Sequence, residues 1–243
     1  MQKVVDELLV NYEVMGPTSP RLRGVNKTML ILHGWKSGIA DWLPFSNEFK
    51  SRYKIILLDL PGFGGSSKPV TDWGIYEYFE FTRKFLESLK IKKAIVLGHS
   101  FGGRIAILLA ARTDLVERLI LVDAAGMEIK NLKSKMIKLI RPLVFWLPQE
   151  IKNQLGSKDY RQAGEMRKTF VKIVNQPLRN ELSRISAPTL IIWGEKDMVL
   201  SLREAQMLHE GIKNSVLRIV WGATHWPHQK KTEDFMRILA EEG

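Results

Sequence analysis

The chain has no cysteine among its 243 residues. That absence excludes disulfides, thiolate metal ligands and a cysteine nucleophile, so nucleophilic work falls to serine or an acid. Long apolar runs are missing too. Charged residues interrupt each run before the roughly 20 residues needed to span a bilayer, and Met1-Gln2-Lys3-Val4-Val5-Asp6-Glu7 opens no stretch of signal-peptide length. The expectation is a cytoplasmic protein without membrane insertion. Acidic residues are comparatively few, 26 against 37 Lys and Arg, which gives a net charge of +11 and a pI near 9.8. An excess of that size raises nucleic acid, an anionic membrane surface or an anionic substrate as partners. Its distribution is uneven: between Met127 and Ala187, 13 Lys or Arg stand against 5 Asp or Glu, a balance of +8 out of the +11. No nucleic-acid motif accompanies that charge, so no nucleic-acid partner is expected.

With 45% hydrophobic residues and a mean hydropathy of -0.12, the chain can bury the core of one sizeable domain, with or without an insertion. Short continuous apolar runs at 28–32, 53–60, 94–97, 118–122, 188–193 and 216–221 each end in a turn signal. Continuous rather than alternating hydrophobicity suits parallel strands covered on both faces. Helical patterns lie between them, as at 75–89, where Tyr78, Phe81, Phe85 and Leu89 recur at helical spacing and Asp72 stands ahead as an N-cap. Strand then helix, repeated, predicts a doubly wound, mostly parallel α/β sheet. Residues 8–14 read as an edge strand paired with the start of that sheet. After Gly126 about sixty residues pass without a convincing strand, so 127–187 is expected to be a helical cap inserted between two core segments, 1–126 and 188–243.

One junction carries the chemistry. Gly98-His99-Ser100-Phe101-Gly102 follows an apolar strand and is followed at once by a helical pattern, the context of a nucleophile elbow. A serine hydroxyl is a weak nucleophile unless it is lifted clear of its neighbours and handed to a base. The strained strand-to-helix turn does the lifting, and Gly98 and Gly102 remove the side chains that would collide there. The base candidate is His225, in the loop after the last strand, with His228 as its close competitor. His209 belongs to a helix surface, and His33 and His99 to turn structure. The acid candidate is Asp197, just past a strand and 28 residues ahead of His225. Asp123 ends the strand before the insertion and reaches the same region, and Glu195 is a third choice. Two backbone N–H groups complete the set as oxyanion donors: Phe101 at the first turn of the helix, and Trp35 where the chain leaves a strand at Gly34.

Together His33-Gly34-Trp35, Asp59-Leu60-Pro61-Gly62-Phe63-Gly64-Gly65-Ser66-Ser67, Gly98-His99-Ser100-Phe101-Gly102-Gly103, Gly194-Glu195-Lys196-Asp197 and Gly222-Ala223-Thr224-His225 resemble the α/β-hydrolase superfamily across the chain outside the insertion. The resemblance implies an α/β-hydrolase fold, a Ser100-Asp197-His225 triad, Trp35 and Phe101 as oxyanion donors, and residues 127–187 as a lid. A serine at the elbow separates the chain from the branches that use an aspartate nucleophile. Phe145 and Trp146 are candidates for an apolar pocket wall. The implied activity is esterase-like hydrolysis of a small-molecule ester or lactone through an acyl-enzyme, without organic cofactor or metal. Two other readings stand beside it: a hydrolase of carbon–carbon bonds in diketone-like acids, whose carboxylate a basic cap would bind, and a ligand receptor that keeps the fold without turnover.

Overall fold

A computed structural model describes residues 1–17, 27–127 and 163–242. Eight strands form one sheet in the order β1-β2-β4-β3-β5-β6-β7-β8. They are β1 (Gln2–Val5), β2 (Leu8–Met15), β3 (Thr28–Leu32), β4 (Lys54–Leu58), β5 (Ala94–His99), β6 (Val116–Val122), β7 (Thr189–Gly194) and β8 (Ser215–Val220). β2 runs antiparallel to both β1 and β4, and every pairing from β4 to β8 is parallel. The parallel part needs crossovers. These are helices, of which α1 (Leu43–Phe49), α2 (Ile75–Ser88), α3 (Phe101–Arg112), α4 (Arg167–Val174) and α5 (Leu202–Gly211) fall among the described residues, and α6 (Pro227–Lys230) and α7 (Thr232–Glu241) follow β8.

Successive side chains of a strand point to opposite faces, and here both faces are buried. Leu30 and Leu32 of β3, Val96 of β5, Leu119 and Leu121 of β6 and Trp193 of β7 join Phe81, Phe85, Ile105 and Leu108 from α2 and α3. Their neighbours Met29, Ile31, Ile95, Leu97, Ile120 and Ile192 pack on the other side against Phe45 and Phe49 of α1 and Phe235 of α7. That double burial is why these strands read as continuous apolar runs rather than as alternating ones.

Three expectations need correction at the margins of the sheet. The outermost strand is β1, not β2, because Gln2-Lys3-Val4-Val5 is too short and polar to announce itself, yet it pairs with residues 8–11. At the opposite edge β8 is half open: only Val220 is buried, and Trp221, placed in the strand by its hydrophobicity, lies beyond it and is 73% exposed. Asp72 does not cap α2. The cap is Gly74, whose N–H donates to Glu77 Oε2 at 2.9 Å, while the Asp72 carbonyl accepts Lys172 Nζ at 2.5 Å.

Residues 163–187 lie against α2 and α3 through specific polar contacts. The buried Arg104 guanidinium donates to the carbonyls of Ile173 at 2.9 Å and Gln176 at 3.0 Å. Gln176 Oε1 in turn accepts the N–H of Ile75 at 2.8 Å, and the N–H of Leu178 donates to the Gly126 carbonyl at 2.9 Å. Arg112 adds an ion pair to the buried Glu181 at 2.6 Å. No helix among the described residues is long and apolar enough to cross a membrane.

Candidate active site

β5 passes into α3 through a single residue, Ser100, held at φ 49° and ψ -109°. Few non-glycine residues tolerate such a backbone, which costs about 1–3 kcal/mol and persists only when the surroundings fix it. They do so from three directions. The N–H of Ser100 donates to the Val122 carbonyl at 3.1 Å, its own carbonyl accepts Gly103 and Ala125 at 3.1 and 3.0 Å, and the N–H of Gly102 donates to the His33 carbonyl at 3.1 Å. The ends of β3, β5 and β6 are thereby tied to the start of α3.

Ser100 Oγ lies 3.0 Å from His225 Nε2, and His225 Nδ1 lies 2.7 Å from Asp197 Oδ2. The tautomer that satisfies both contacts carries its proton on Nδ1, donating to Asp197, and leaves Nε2 to accept from Ser100. Asp197 Oδ1 accepts the N–H groups of Val199 at 2.7 Å and Leu200 at 2.9 Å. Burial alone would raise the Asp197 carboxyl, but the hydrogen bond and charge of His225 and those two amides outweigh it, and the group sits below the usual carboxylate range. An anion beside the imidazole is therefore secured by the fold.

Three of the other sequence candidates turn out to brace this core. His99 is 2% exposed, and its Nε2 donates to the carbonyl of His225 at 2.8 Å, which fixes the backbone of the residue beside the serine. His228 is stacked on Trp42 with ring centroids 4.0 Å apart, and burial first, then repulsion from His225, lowers its pKa to about 3. It is a packing residue. His33 bridges the Gly34 carbonyl and the N–H of Leu60, at 2.7 and 2.9 Å. Glu195 accepts the N–H of Gly222 at 2.8 Å and so joins the loops after β7 and β8. His209 lies on the exposed side of α5, in contact with Ser215 Oγ at 2.9 Å. The Asp59 carboxylate accepts Ile39, Gly65 and Asn11 at 2.8, 2.9 and 2.8 Å, which makes the 59–67 segment a structural turn.

The turn that holds Trp35 lies against the serine: a Cβ on Gly34 would sit 3.4 Å from Ser100 Cβ. Among the described residues the N–H groups of Trp35 and Phe101 have no hydrogen-bond partner. Around them Trp35 meets Phe63, Phe101 and Phe170 edge-on, at centroid distances of 4.9, 5.5 and 5.1 Å. Phe170 of α4 was not singled out from the sequence; its place on an amphipathic helix next to Thr169 and Ile173 gave no sign that it would reach Trp35. Phe145 and Trp146 lie outside the described residues. One group of ligand-type atoms occurs among the described residues: those of Asp123, Asp197 and His225 lie within 4.8 Å of one another. The hydrogen bonds of His225 and Asp197 account for that closeness without an ion.

A nucleophile on a strained turn, a base within hydrogen-bond reach and an anion behind that base form an arrangement competent for acyl transfer. Known proteins are similar to this chain in sequence and in fold. The family model described as alpha/beta hydrolase fold matches residues 27–164. An uncharacterized protein of Mycobacterium tuberculosis is 27% identical over 90% of this chain and 76% of its own length. The monoacylglycerol lipase ABHD6 of Mus musculus is 27% identical over 83% of this chain and 71% of its own. Among solved structures, a membrane phospholipase A described as a bacterial virulence factor superposes with a TM-score of 0.79 at 26% identity, covering 100% of this chain and 85% of the other.

Proposed function

The chain belongs to the alpha/beta hydrolase fold family, and on that premise we propose that it is a serine hydrolase that cleaves carboxylic esters of small or medium acyl chains, lactones included, through an acyl-enzyme. The observation that carries the reading is the continuous contact from Ser100 Oγ through His225 to Asp197, at 3.0 and 2.7 Å. In this mechanism Nε2 of His225 takes the proton of Ser100 as its oxygen attacks the ester carbonyl. Asp197 stabilises the imidazolium that forms. The N–H groups of Trp35 and Phe101 bind the developing oxyanion, a contribution of about 10²–10³ in rate for each donor. The imidazolium then protonates the leaving alcohol, and water deprotonated by the same base releases the acid.

The names of two relatives, a monoacylglycerol lipase and a phospholipase A, support an acyl ester, although another, epoxide hydrolase 4 of Homo sapiens at 24% identity, is named for a different bond. The aromatic group of Trp35, Phe63, Phe101 and Phe170 offers an apolar surface next to the serine. The lid of this reading is 127–187, of which 128–162 lie outside the described residues; its described end is fastened to α3 by Arg104. The test is hydrolysis of p-nitrophenyl esters from acetyl to decanoyl, and of an acyl lactone, by the wild type and by Ser100→Ala. We expect activity in the wild type and a loss of at least about 10³-fold in the variant. Equal activity in both overturns the serine mechanism. A wild type active only on a dienoate acid makes the protein a carbon–carbon bond hydrolase, and one that binds acyl ligands without turnover makes it a receptor.

A further inference from the structure

Asp123 follows β6 directly, on the strand between the one that carries Ser100 and the one that leads to Asp197. It is fully buried, and its backbone is strained at φ 40°. Its Oδ1 accepts the N–H of Gly194 at 2.9 Å, while Oδ2 is sealed from solvent and receives no hydrogen bond. A buried carboxylate oxygen with no donor is costly. A buried carboxylic acid in the same place has instead a proton to give, and the acceptor at hand is the carboxylate of Asp197, within 4.8 Å in the group it forms with His225.

We propose that Asp123 is a positioning residue of the triad, whose neutral carboxyl donates a hydrogen bond to Asp197 and holds it against His225. Two carboxylates this close cannot both be ionised in a dry site, so they share one proton. The donors decide which keeps it. Asp197 accepts three N–H groups, from Val199, Leu200 and His225. Asp123 accepts one, from Gly194. The anion therefore belongs on Asp197 and the proton on Asp123. Burial, and then the charge of Asp197, raise the Asp123 carboxyl well above the usual range, against the pull of the Gly194 amide. The strained backbone points the same way: φ near 40° is tolerated by Asp, Asn and Gly more readily than by other residues, and it is kept here where a carboxyl is delivered beneath the acid of the triad.

The proposal rests on Ser100, Asp197 and His225 forming a working triad, and Ser100→Ala in the same assay tests that reading separately. Asp123→Asn keeps both the acceptor for Gly194 and a donor for Asp197. Asp123→Gly removes the carboxyl without adding backbone strain. For Asp123→Gly we expect kcat to fall about tenfold, equivalent to about 1.4 kcal/mol of transition-state stabilisation, with KM within about twofold. Asp123→Asn should restore kcat. The downfield proton resonance of His225 Nδ1 should move in Asp123→Gly and return in Asp123→Asn. In an Asp197→Ala background, Asp123→Gly should cost nothing further. Full activity in Asp123→Gly, an Asn variant as impaired as the Gly variant, an unmoved resonance or penalties that multiply with Asp197→Ala would each overturn the proposal. Should Asp123→Gly not fold, infrared spectroscopy decides: the carbonyl stretch of a neutral buried acid must be present in the wild type at neutral pH and absent from Asp123→Asn.

Discussion

Substituting alanine for Gly102 tests whether the elbow is held by close contact of backbones or by helix propensity. Gly102 lies in the first turn of α3. Propensity alone predicts that alanine there stabilises the helix, by about 0.5–1 kcal/mol. The packing predicts the opposite. A Cβ at this position would meet the Leu32 carbonyl oxygen at 2.1 Å, its carbon at 2.5 Å and the His33 carbonyl oxygen at 2.7 Å. Carbon–oxygen contacts settle no closer than about 3.3 Å, so α3 and the end of β3 would have to part by about 1 Å. None of the three atoms is on a side chain that can rotate away, and β3 is clamped between β4 and β5. Overpacking of this kind costs about 1–3 kcal/mol, and contacts with fixed backbone place this one near 3. For a chain of this size that lowers Tm by roughly 6–12 °C. The same displacement separates the amides of Trp35 and Phe101, and about 1 Å of misplacement at reacting groups costs on the order of 10² in rate. Thermal melting and kcat on a p-nitrophenyl ester measure both effects. Gly164→Ala is the control, because φ there is +54° but nothing lies within 4 Å of the new Cβ. It should cost only the backbone strain, about 1–2 kcal/mol, and leave kcat unchanged. If Gly102→Ala melts with the wild type and keeps its kcat, the argument from close contact is wrong.

Arg104→Met removes two charge-assisted donors from the carbonyls of Ile173 and Gln176, so residues 163–187 should lose about 2–3 kcal/mol of local stability. Hydrogen exchange should quicken in that segment before it does in the sheet; exchange that quickens evenly throughout would contradict an anchoring role. His228 stays neutral in the fold down to about pH 3, whereas the unfolded chain takes up its proton from about pH 6.5 downward. Between those limits the unfolded state binds more protons, so this group makes stability fall as pH falls and rise as pH rises. His228→Phe keeps the aromatic stack on Trp42 and should flatten urea midpoints across that range; an unaltered slope would assign the loss to other groups.

The sheet was legible because its central strands are buried on both faces. After Thr28, the residues Met29, Leu30, Ile31 and Leu32 leave no polar position on β3, so the run could be read from composition alone. The edges were not legible for the same reason reversed: Gln2 and Val4 face solvent, and Trp221 is hydrophobic but unburied. Ser100, Asp197 and His225 were readable because each stands within five residues of the end of a strand signal. The bracing by His99 was half visible, as turn structure, but its bond to the His225 carbonyl joins residues 126 apart. Phe170 failed to stand out because an aromatic on an amphipathic helix looks the same whether it meets the core or the site. Asp123 was weighed only as a rival acid. That the two acids share one proton depends on which amides reach each, which no spacing records.

The positions of the four side chains along their loops follow from the order of the strands. Ser100, Asp123, Asp197 and His225 come from β5, β6, β7 and β8, four consecutive neighbours. Parallel strands lie about 4.8 Å apart, so His225 starts three strands, or roughly 14 Å, from the serine it must touch. Ser100 and Asp123 need no loop and follow directly on His99 and Val122. Asp197 lies three residues beyond Gly194, and His225 five beyond Val220. The farther the strand, the longer the arm that folds back over the strand ends, and the more it needs fastening. The fastening is there: Lys196 N–H to the Ala223 carbonyl at 2.7 Å joins the two longer arms, and His99 holds the end of the longest at 2.8 Å. β6 lies between the strand of the nucleophile and the strand of the acid arm, and the residue that follows it is buried beside both. An apolar side chain there would turn no polar group toward Asp197, and a second carboxylate would repel it. A carboxyl that keeps its proton adds a donor there instead, and Asp123 stands at that position.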